Sequence, residues 1–156
     1  MNWVKLVIAI FVSELAGVVG AIFAAPSLST WYPSLRQPIF SPPNFLFAPV
    51  WTLLFLLMGI AAYLVWQAGL NRREVRLGLG IFLLQLGLNV LWTYLFFGLQ
   101  NPLAGFVEIV FLWLAILATV LVFGRVSRTA AWLLLPYLIW VGFAAALNFS
   151  IVQLNP

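Results

Sequence analysis

The feature that most constrains this chain is a series of five apolar runs, each long enough to cross a lipid bilayer as a helix. The runs cover about residues 3–25, 45–67, 77–97, 103–123 and 130–152. A spanning helix needs roughly 20 predominantly apolar residues. Only 6% of the 156 residues are charged, against about 25% in a soluble domain. The sequence therefore predicts an all-α integral membrane protein, with residues 1–156 forming one domain built as a five-transmembrane-helix bundle.

The basic residues predict the orientation of this bundle. With five spans, six of the seven basic residues fall on one side of the membrane, and Arg36 alone falls on the other. The six are Lys5, Arg72, Arg73, Arg76, Arg125 and Arg128. The positive-inside rule then places the N-terminus in the cytoplasm and the first loop and the C-terminus on the opposite side. Because the basic residues are scattered along the chain, we expect no nucleic-acid partner.

The chain lacks the side chains on which much enzyme chemistry depends. It contains no cysteine and no histidine, which removes thiol chemistry, the commonest metal ligand and the commonest general base. No nucleophile–base set and no glycine-rich phosphate loop is found. The sequence gives no support to a hydrolase or a kinase, and it predicts no metal site.

Between the first two runs lies a loop, residues 26–44, that is dense in aromatic residues and proline. The stretch from Trp31 to Trp51 reads WYPSLRQPIFSPPNFLFAPVW. Proline prevents helix formation across most of it, and the aromatic rings offer rigid flat surfaces. These properties suit a structured lid over a site for a large planar molecule. They equally suit a stiff interfacial loop whose aromatic rings anchor at the lipid headgroups.

Three of the runs carry an aromatic or amide stripe at helical spacing. The stripes are Gln85, Asn89, Trp92 and Phe96 in the third run, Phe47, Trp51 and Phe55 in the second, and Trp140, Ala144 and Asn148 in the fifth. Unpaired amides are costly inside a span, so Gln85 and Asn89 must face protein or a cavity. The stripes predict a flat-walled pocket beneath the loop. The alternative is that the amides join helices and the tryptophans only pack.

The first run adds two further observations. It has a face of small residues, which predicts close packing against another helix. That face comprises Gly17, Gly20, Ala21 and Ala24. The run also holds Glu14, which with Glu108 in the fourth run is one of two acids inside the spans. Neither acid has a basic partner at a matching depth, and an ionisable group within a span is a functional candidate by default.

The motifs resemble those of a known family. The strings WYPSLRQPIFSPP and PVWTLLFLLMGIA, followed by QLGLNVLWTYLFFGLQNP and AAWLLLPYLIWVGFAAALNFSIVQLN, are similar to the signature of the tryptophan-rich sensory protein or translocator protein family, TspO/MBR. The resemblance implies a five-helix bundle, often a homodimer. It also implies a pocket under the first loop that binds porphyrins, sterols and synthetic benzodiazepine-type or isoquinoline ligands.

The resemblance carries a set of ligand-binding residues over to this chain. They are Trp31, Tyr32, Pro42, Trp51, Asn89, Trp92, Trp140, Ala144 and Leu147. Trp51 and Trp140 match the tryptophans implicated in a light-dependent degradation of porphyrin, which makes them candidate catalytic residues if the family's photochemistry is enzymatic. The sequence alone assigns no catalytic residue beyond these two candidates.

The chain also departs from the family pattern. The loop commonly reads K-P-x-W-x-P-P, whereas here it reads QPIFSPP from Gln37 to Pro43. This removes a lysine that could pair with a porphyrin propionate, although Arg36 is adjacent. The cholesterol-recognition pattern also fails, because Phe149 replaces its tyrosine and no basic residue follows. Without histidine or cysteine, porphyrin is expected as a stacked ligand, and no cofactor is required.

The expected function is therefore a membrane receptor or regulator that binds a tetrapyrrole or another flat hydrophobic ligand in a pocket under the first loop, with the lipid bilayer as its other partner. Two alternatives stay open at this point. One is a transporter of porphyrin or lipid ligands. The other is an enzyme-like protein that degrades porphyrin in light.

Overall fold

The computed structural model describes all of residues 1–156 and contains five long helices and no strand. The helices are α1 (Trp3–Leu28), α2 (Phe47–Trp66), α3 (Arg73–Thr93), α4 (Pro102–Val126) and α5 (Arg128–Leu154). Together with the short turns that extend α2 and α3, all five are long and apolar enough to cross a membrane. The predicted five-helix membrane bundle is confirmed.

The helices begin and end at other residues than the apolar runs. Helix α1 continues through Pro26, and α3 begins at Arg73 rather than at residue 77. Charged and polar residues remain helical at the ends of a span because their side chains reach water there. Side chains of Asn2, Asn101 and Ser127 cap α1, α4 and α5 by accepting hydrogen bonds from backbone amides in the first turn, as is usual for these residue types.

Helix α1 lies at the edge of the bundle. It packs against α2 and α3, whereas α4 packs between α3 and α5, and α2 also contacts α5. Only 17% of the apolar window of α1 is buried inside the protein, against 33–39% for the other four helices. At Gly59 the two backbones of α1 and α2 come so close that a Cβ atom would lie 2.6 Å from the Cα atom of Ile10.

The first loop packs onto the end of the bundle. It contains two short 3₁₀ turns, Tyr32–Ser34 and Asn44–Leu46. The ring of Tyr32 is 1% exposed. At the far end of α5, Asn155 pairs with the backbone of Arg36, accepting from its N–H at 3.0 Å and donating to its carbonyl at 2.9 Å. This pair fixes the loop to the last turn of α5.

A π-helical turn, Tyr94–Gly98, follows α3 beneath the loop. Both Phe96 and Phe97 are buried in it. The carbonyl of Phe97 accepts a hydrogen bond from the hydroxyl of Ser27 at 2.7 Å. The turn therefore directs two neighbouring aromatic rings inward and ties the end of α3 to the end of α1.

Candidate ligand-binding cavities

The larger of two cavities that we describe, named here the large cavity, lies between α1, α2 and α3. Its volume is about 310 Å³. It is lined by Glu14, Ala16, Gly17, Val18, Gly20, Ala21, Ala24, Ala25, Leu28, Phe47, Ala48, Trp51, Thr52, Phe55, Asn89, Trp92, Thr93 and Phe97. Several of these, including Val18 and Thr52, are exposed on the surface of the bundle. The large cavity is therefore a cleft that opens sideways, toward the lipid.

A second space, the small cavity, lies deeper, beneath the first loop and against α5. Its volume is only about 30 Å³, room for one or two water molecules. It is lined by Tyr32, Phe47, Trp51, Trp92, Phe96, Phe97, Trp140, Ala144, Leu147, Asn148 and Ile151. The two cavities share the rings of Phe47, Trp51, Trp92 and Phe97, which form the wall between them.

The structure divides the nine predicted ligand-binding residues between these spaces. Tyr32, Trp140, Ala144 and Leu147 line the small cavity only, and Asn89 lines the large cavity only. Trp51 and Trp92 line both.

The remaining two predicted residues, Trp31 and Pro42, line neither cavity. The ring of Trp31 packs edge-on against Phe96, with 5.6 Å between the ring centres.

Sequence reasoning assigned the small-residue face of α1 a packing role and missed its contribution to the large cavity. The small-residue face does pack against α2 and α3 as predicted, and its four residues, Gly17, Gly20, Ala21 and Ala24, also line the cleft. Some contact is close, since a Cβ atom on Gly17 would lie 2.7 Å from the ring of Phe55. Small side chains leave space as readily as they permit contact, and the sequence carries no signal that separates the two.

Three polar side chains form a buried network at the centre of the bundle. The hydroxyl of Tyr137 donates to Oε1 of Gln85 at 2.7 Å and accepts from Nδ2 of Asn89 at 2.8 Å. Gln85 in turn donates to the sulfur of Met58 at 3.7 Å. The two amides expected to face protein or a cavity are thus paired, and they join α3 to α5.

A second polar link lies closer to the loop. Nε1 of Trp92 donates to Oδ1 of Asn148 at 3.1 Å, and Nδ2 of Asn148 donates to the carbonyl of Pro102 at 2.8 Å. This chain connects α3, α5 and the start of α4. It fixes the indole of Trp92 in the wall between the two cavities.

Two buried polar atoms, each in a side chain that lines the small cavity, make no hydrogen bond of ordinary geometry. They are Nε1 of Trp140 and the hydroxyl of Tyr32. Burial raises the pKa of the Tyr32 hydroxyl above its usual value, so this group stays a neutral donor at physiological pH. The hydroxyl of Ser41 lies beside that of Tyr32 and interacts with it, which lowers the pKa of Tyr32 by less than burial raises it, and it also donates to Gln37 at 2.8 Å. An unsatisfied buried group costs roughly 1–3 kcal/mol.

The two acids inside the spans occupy different surroundings. Glu14 lies on the lining of the large cavity and is partly exposed. Glu108 is 7% exposed, and neither of its carboxyl oxygens has a hydrogen-bond partner. No group of residues in the chain is arranged to hold a metal ion.

A bundle of five helices, each long and apolar enough to cross a membrane, defines the class of polytopic membrane proteins. Residues 9–154 match the model of the TspO/MBR family. The chain belongs to the TspO/MBR family.

Relatives across distant organisms cover nearly the whole chain. The Tryptophan-rich protein TspO of Archaeoglobus fulgidus is 49% identical over 156 residues, 99% of each chain. The Translocator protein of Homo sapiens is 35% identical over 144 residues, covering 91% of this chain and 85% of its own. The Tryptophan-rich sensory protein of Cereibacter sphaeroides is 33% identical over 157 residues, covering 99% of this chain and 94% of its own.

Proposed function

We propose that this protein is a membrane receptor or regulator that binds a tetrapyrrole, or another flat hydrophobic molecule, in the large cavity. The observation that carries the proposal is the cleft of about 310 Å³ with aromatic rings on one side and small residues on the other. Its volume lies at the lower end of the range of about 300–1,000 Å³ typical of small-molecule sites. The relatives named as a translocator protein and as a sensory protein are consistent with a ligand-binding membrane protein.

The lining of the large cavity favours a planar apolar ligand. Rings of Trp51, Phe55 and Trp92 offer flat surfaces along α2 and α3, and the opposite side on α1 is built from glycine and alanine. Aromatic side chains stack with flat π systems in offset or edge-on geometries. Asn89, Thr52 and Thr93 add polar groups to this mainly apolar wall. The ligand would enter from the bilayer, between α1 and α2.

The direct test is quenching of tryptophan fluorescence in the purified protein by protoporphyrin IX. Saturable quenching is expected for the wild type. Ala24→Leu fills the large cavity at a position that is 8% exposed and is expected to weaken binding at least tenfold. Ala146→Leu, on an exposed part of α5 outside both cavities, is the matched control and should bind as the wild type does.

Linear quenching that is the same in the wild type and in Ala24→Leu would show partitioning into the detergent rather than binding. The five-helix fold would then stand, and tetrapyrrole would be abandoned as the ligand.

The second candidate function is a light-dependent degradation of porphyrin, and the position of Trp51 favours it. Trp51 lines both cavities, so its indole would contact a ligand in either. Trp140 lines the small cavity only, on the far side of the shared wall. We therefore expect Trp51→Phe to slow porphyrin loss under illumination more than Trp140→Phe does. Equal rates in both variants and in the exposed control Trp132→Phe would show that the loss is photobleaching in solution.

A further inference from the structure

We propose that Glu108 is a proton-binding site inside the bundle, and that the proton it holds stabilises the packing of α4 between α3 and α5. The carboxyl group carries this proton on one of its oxygens and is neutral in the folded protein at physiological pH. Loss of the proton as the pH rises leaves a buried charge and weakens the bundle. The inference does not depend on the ligand proposed for the large cavity.

The first support is the burial of the Glu108 carboxyl group. Glu108 lies on the inward face of α4, one turn after Gly105 and one turn before Leu112, which are also buried. The side chain is 7% exposed, and both carboxyl oxygens are enclosed by protein without a hydrogen-bond donor. An ionised carboxylate in such a place is strongly unfavourable, whereas the protonated form carries no charge. The position therefore accepts the neutral form.

The second support is that α3 brings no cation to Glu108. The charged residues of α3 all lie in its first turn and are Arg73, Glu74 and Arg76. Gly78, which follows them, packs against the ring of Phe123 near the end of α4. Phe123 is about four helical turns from Glu108 along α4. The arginines of α3 are therefore too far away to form an ion pair with this carboxyl group.

The other elements packed against α4 are α5 and the π-helical turn. The charged residue of α5 is Arg128, its first residue. Tyr137 is the titratable group of α5 that interacts with Glu108 electrostatically, and a tyrosine hydroxyl is neutral below about pH 9. The π-helical turn contributes only Tyr94, which is exposed, and the basic residue of α4 itself is Arg125 in its last turn. None of these groups supplies a charge that would compensate a carboxylate.

The packing around the start of α4 leaves no space for water to reach the carboxyl group. A Cβ atom on Gly105 would lie 3.1 Å from Cβ of Phe96 and 3.2 Å from Oδ1 of Asn148. Nδ2 of Asn148 also donates to the carbonyl of Pro102 in the first turn of α4. A charge on Glu108 could therefore be hydrated only if α4 moved away from α3 and α5. Ionisation and the packing of α4 oppose each other.

The first test measures unfolding by SDS at several pH values in the wild type and in Glu108→Gln, which keeps the shape of the side chain without a charge. An ordinary glutamate ionises near pH 4.3, so above about pH 6 the unfolded chain has lost the proton that the folded chain still holds. Unfolding then releases one proton, and its equilibrium constant rises by up to about tenfold for each unit of pH. We expect this rise for the wild type relative to Glu108→Gln, so that stability present at low pH is lost as the pH increases.

Glu74→Gln is the matched control, because Glu74 is an exposed acid in the first turn of α3. Its carboxyl group is ionised in both the folded and the unfolded chain above about pH 6. The ratio of its unfolding constant to that of the wild type should therefore not change with pH.

The second test observes the proton directly and does not require that Glu108→Gln fold. The infrared spectrum of a protonated carboxyl group has a C=O stretching band that a carboxylate lacks, and a maltoside detergent adds no carbonyl of its own. The band is measured in Glu14→Gln, which removes the other acid within the spans and leaves Glu74, the C-terminus and Glu108. We expect the band at neutral pH and its loss when Glu108→Gln is added.

A ratio of unfolding constants between the wild type and Glu108→Gln that stays constant with pH would overturn the proposal, since the folded and unfolded chains would then hold the same number of protons. Absence of the infrared band from Glu14→Gln at neutral pH would overturn it as well, because Glu108 would be ionised in the folded protein. Neither result bears on ligand binding in the large cavity.

Discussion

Tyr137→Phe is the sharpest single test of how the centre of this bundle is held together. The change removes one oxygen atom and leaves the ring, which packs against Trp51 with 6.2 Å between ring centres. It breaks two hydrogen bonds, to Gln85 at 2.7 Å and from Asn89 at 2.8 Å. Both amides are then left buried, at 1% and 3% exposure.

The expected loss follows from these two bonds. Hydrogen bonds between membrane helices contribute about 0.6 kcal/mol on average and up to about 1.7 kcal/mol each. Two such bonds give an expected loss of roughly 1–3 kcal/mol in the free energy of unfolding. Gln85 keeps its hydrogen bond to Met58 in the variant. A loss near 3 kcal/mol is therefore expected only if the amide of Asn89 finds no new partner.

The assay is reversible unfolding by SDS in mixed micelles, followed by far-ultraviolet circular dichroism. Tyr94→Phe is the control, because the phenol of Tyr94 is exposed and makes no side-chain hydrogen bond that the change would break. Gln85→Leu combined with Tyr137→Phe should lose less stability than the sum of the single changes. A Tyr137→Phe protein as stable as the wild type would refute a structural role for the network.

Three further predictions concern other parts of the fold. Gly59→Ala should destabilise the bundle by about 1–3 kcal/mol, because its methyl group would meet the backbone of α1. A Cβ atom at Gly80 would lie in open space, so Gly80→Ala should stabilise α3 by up to about 1 kcal/mol. Equal effects of the two substitutions on unfolding by SDS would contradict the close packing of α1 against α2 at Gly59. Asn155→Ala should release the first loop from α5 and so make proteolysis within the loop faster. An unchanged rate of cleavage would contradict a role for the Asn155–Arg36 pair in holding the loop. Since the chain has no cysteine, Ser34→Cys and Asn71→Cys offer clean single labels. An impermeant maleimide should reach only the former from outside the cell, and the reverse pattern would invert the predicted orientation.

The number and the order of the helices could be predicted because a bilayer imposes one length on every span. The apolar runs were therefore sufficient to count five helices. The ends were less predictable, since Arg73 and Arg128 are compatible with either a loop or the first turn of a helix. The π-helical turn Tyr94–Gly98 has no local signal, because its wide turn is set by the packing of Phe96 and Phe97 under the loop.

The candidate site was predictable in its residue types but not in its shape. Helical spacing placed Gln85, Asn89 and Trp92 on one face of α3, and they do share the inner face. The spacing could not show that Tyr137 would fill the space between the amides and occupy their hydrogen bonds. The space beside α5 measures only about 30 Å³, and the larger opening, of about 310 Å³, lies against α1.

The sideways opening of the large cavity has a consequence for every affinity measured on this protein. A cleft lined by apolar groups and open to a bilayer is in contact with acyl chains, as a surface cleft of a soluble protein is in contact with water. If a ligand binds in this cleft as we propose, binding is an exchange, in which a lipid or detergent tail leaves as the ligand enters. The apparent dissociation constant should rise with detergent concentration and vary with the bulk of the tails. We therefore expect the lipids of the surrounding membrane to compete with the proposed ligand, and their composition to change its apparent affinity.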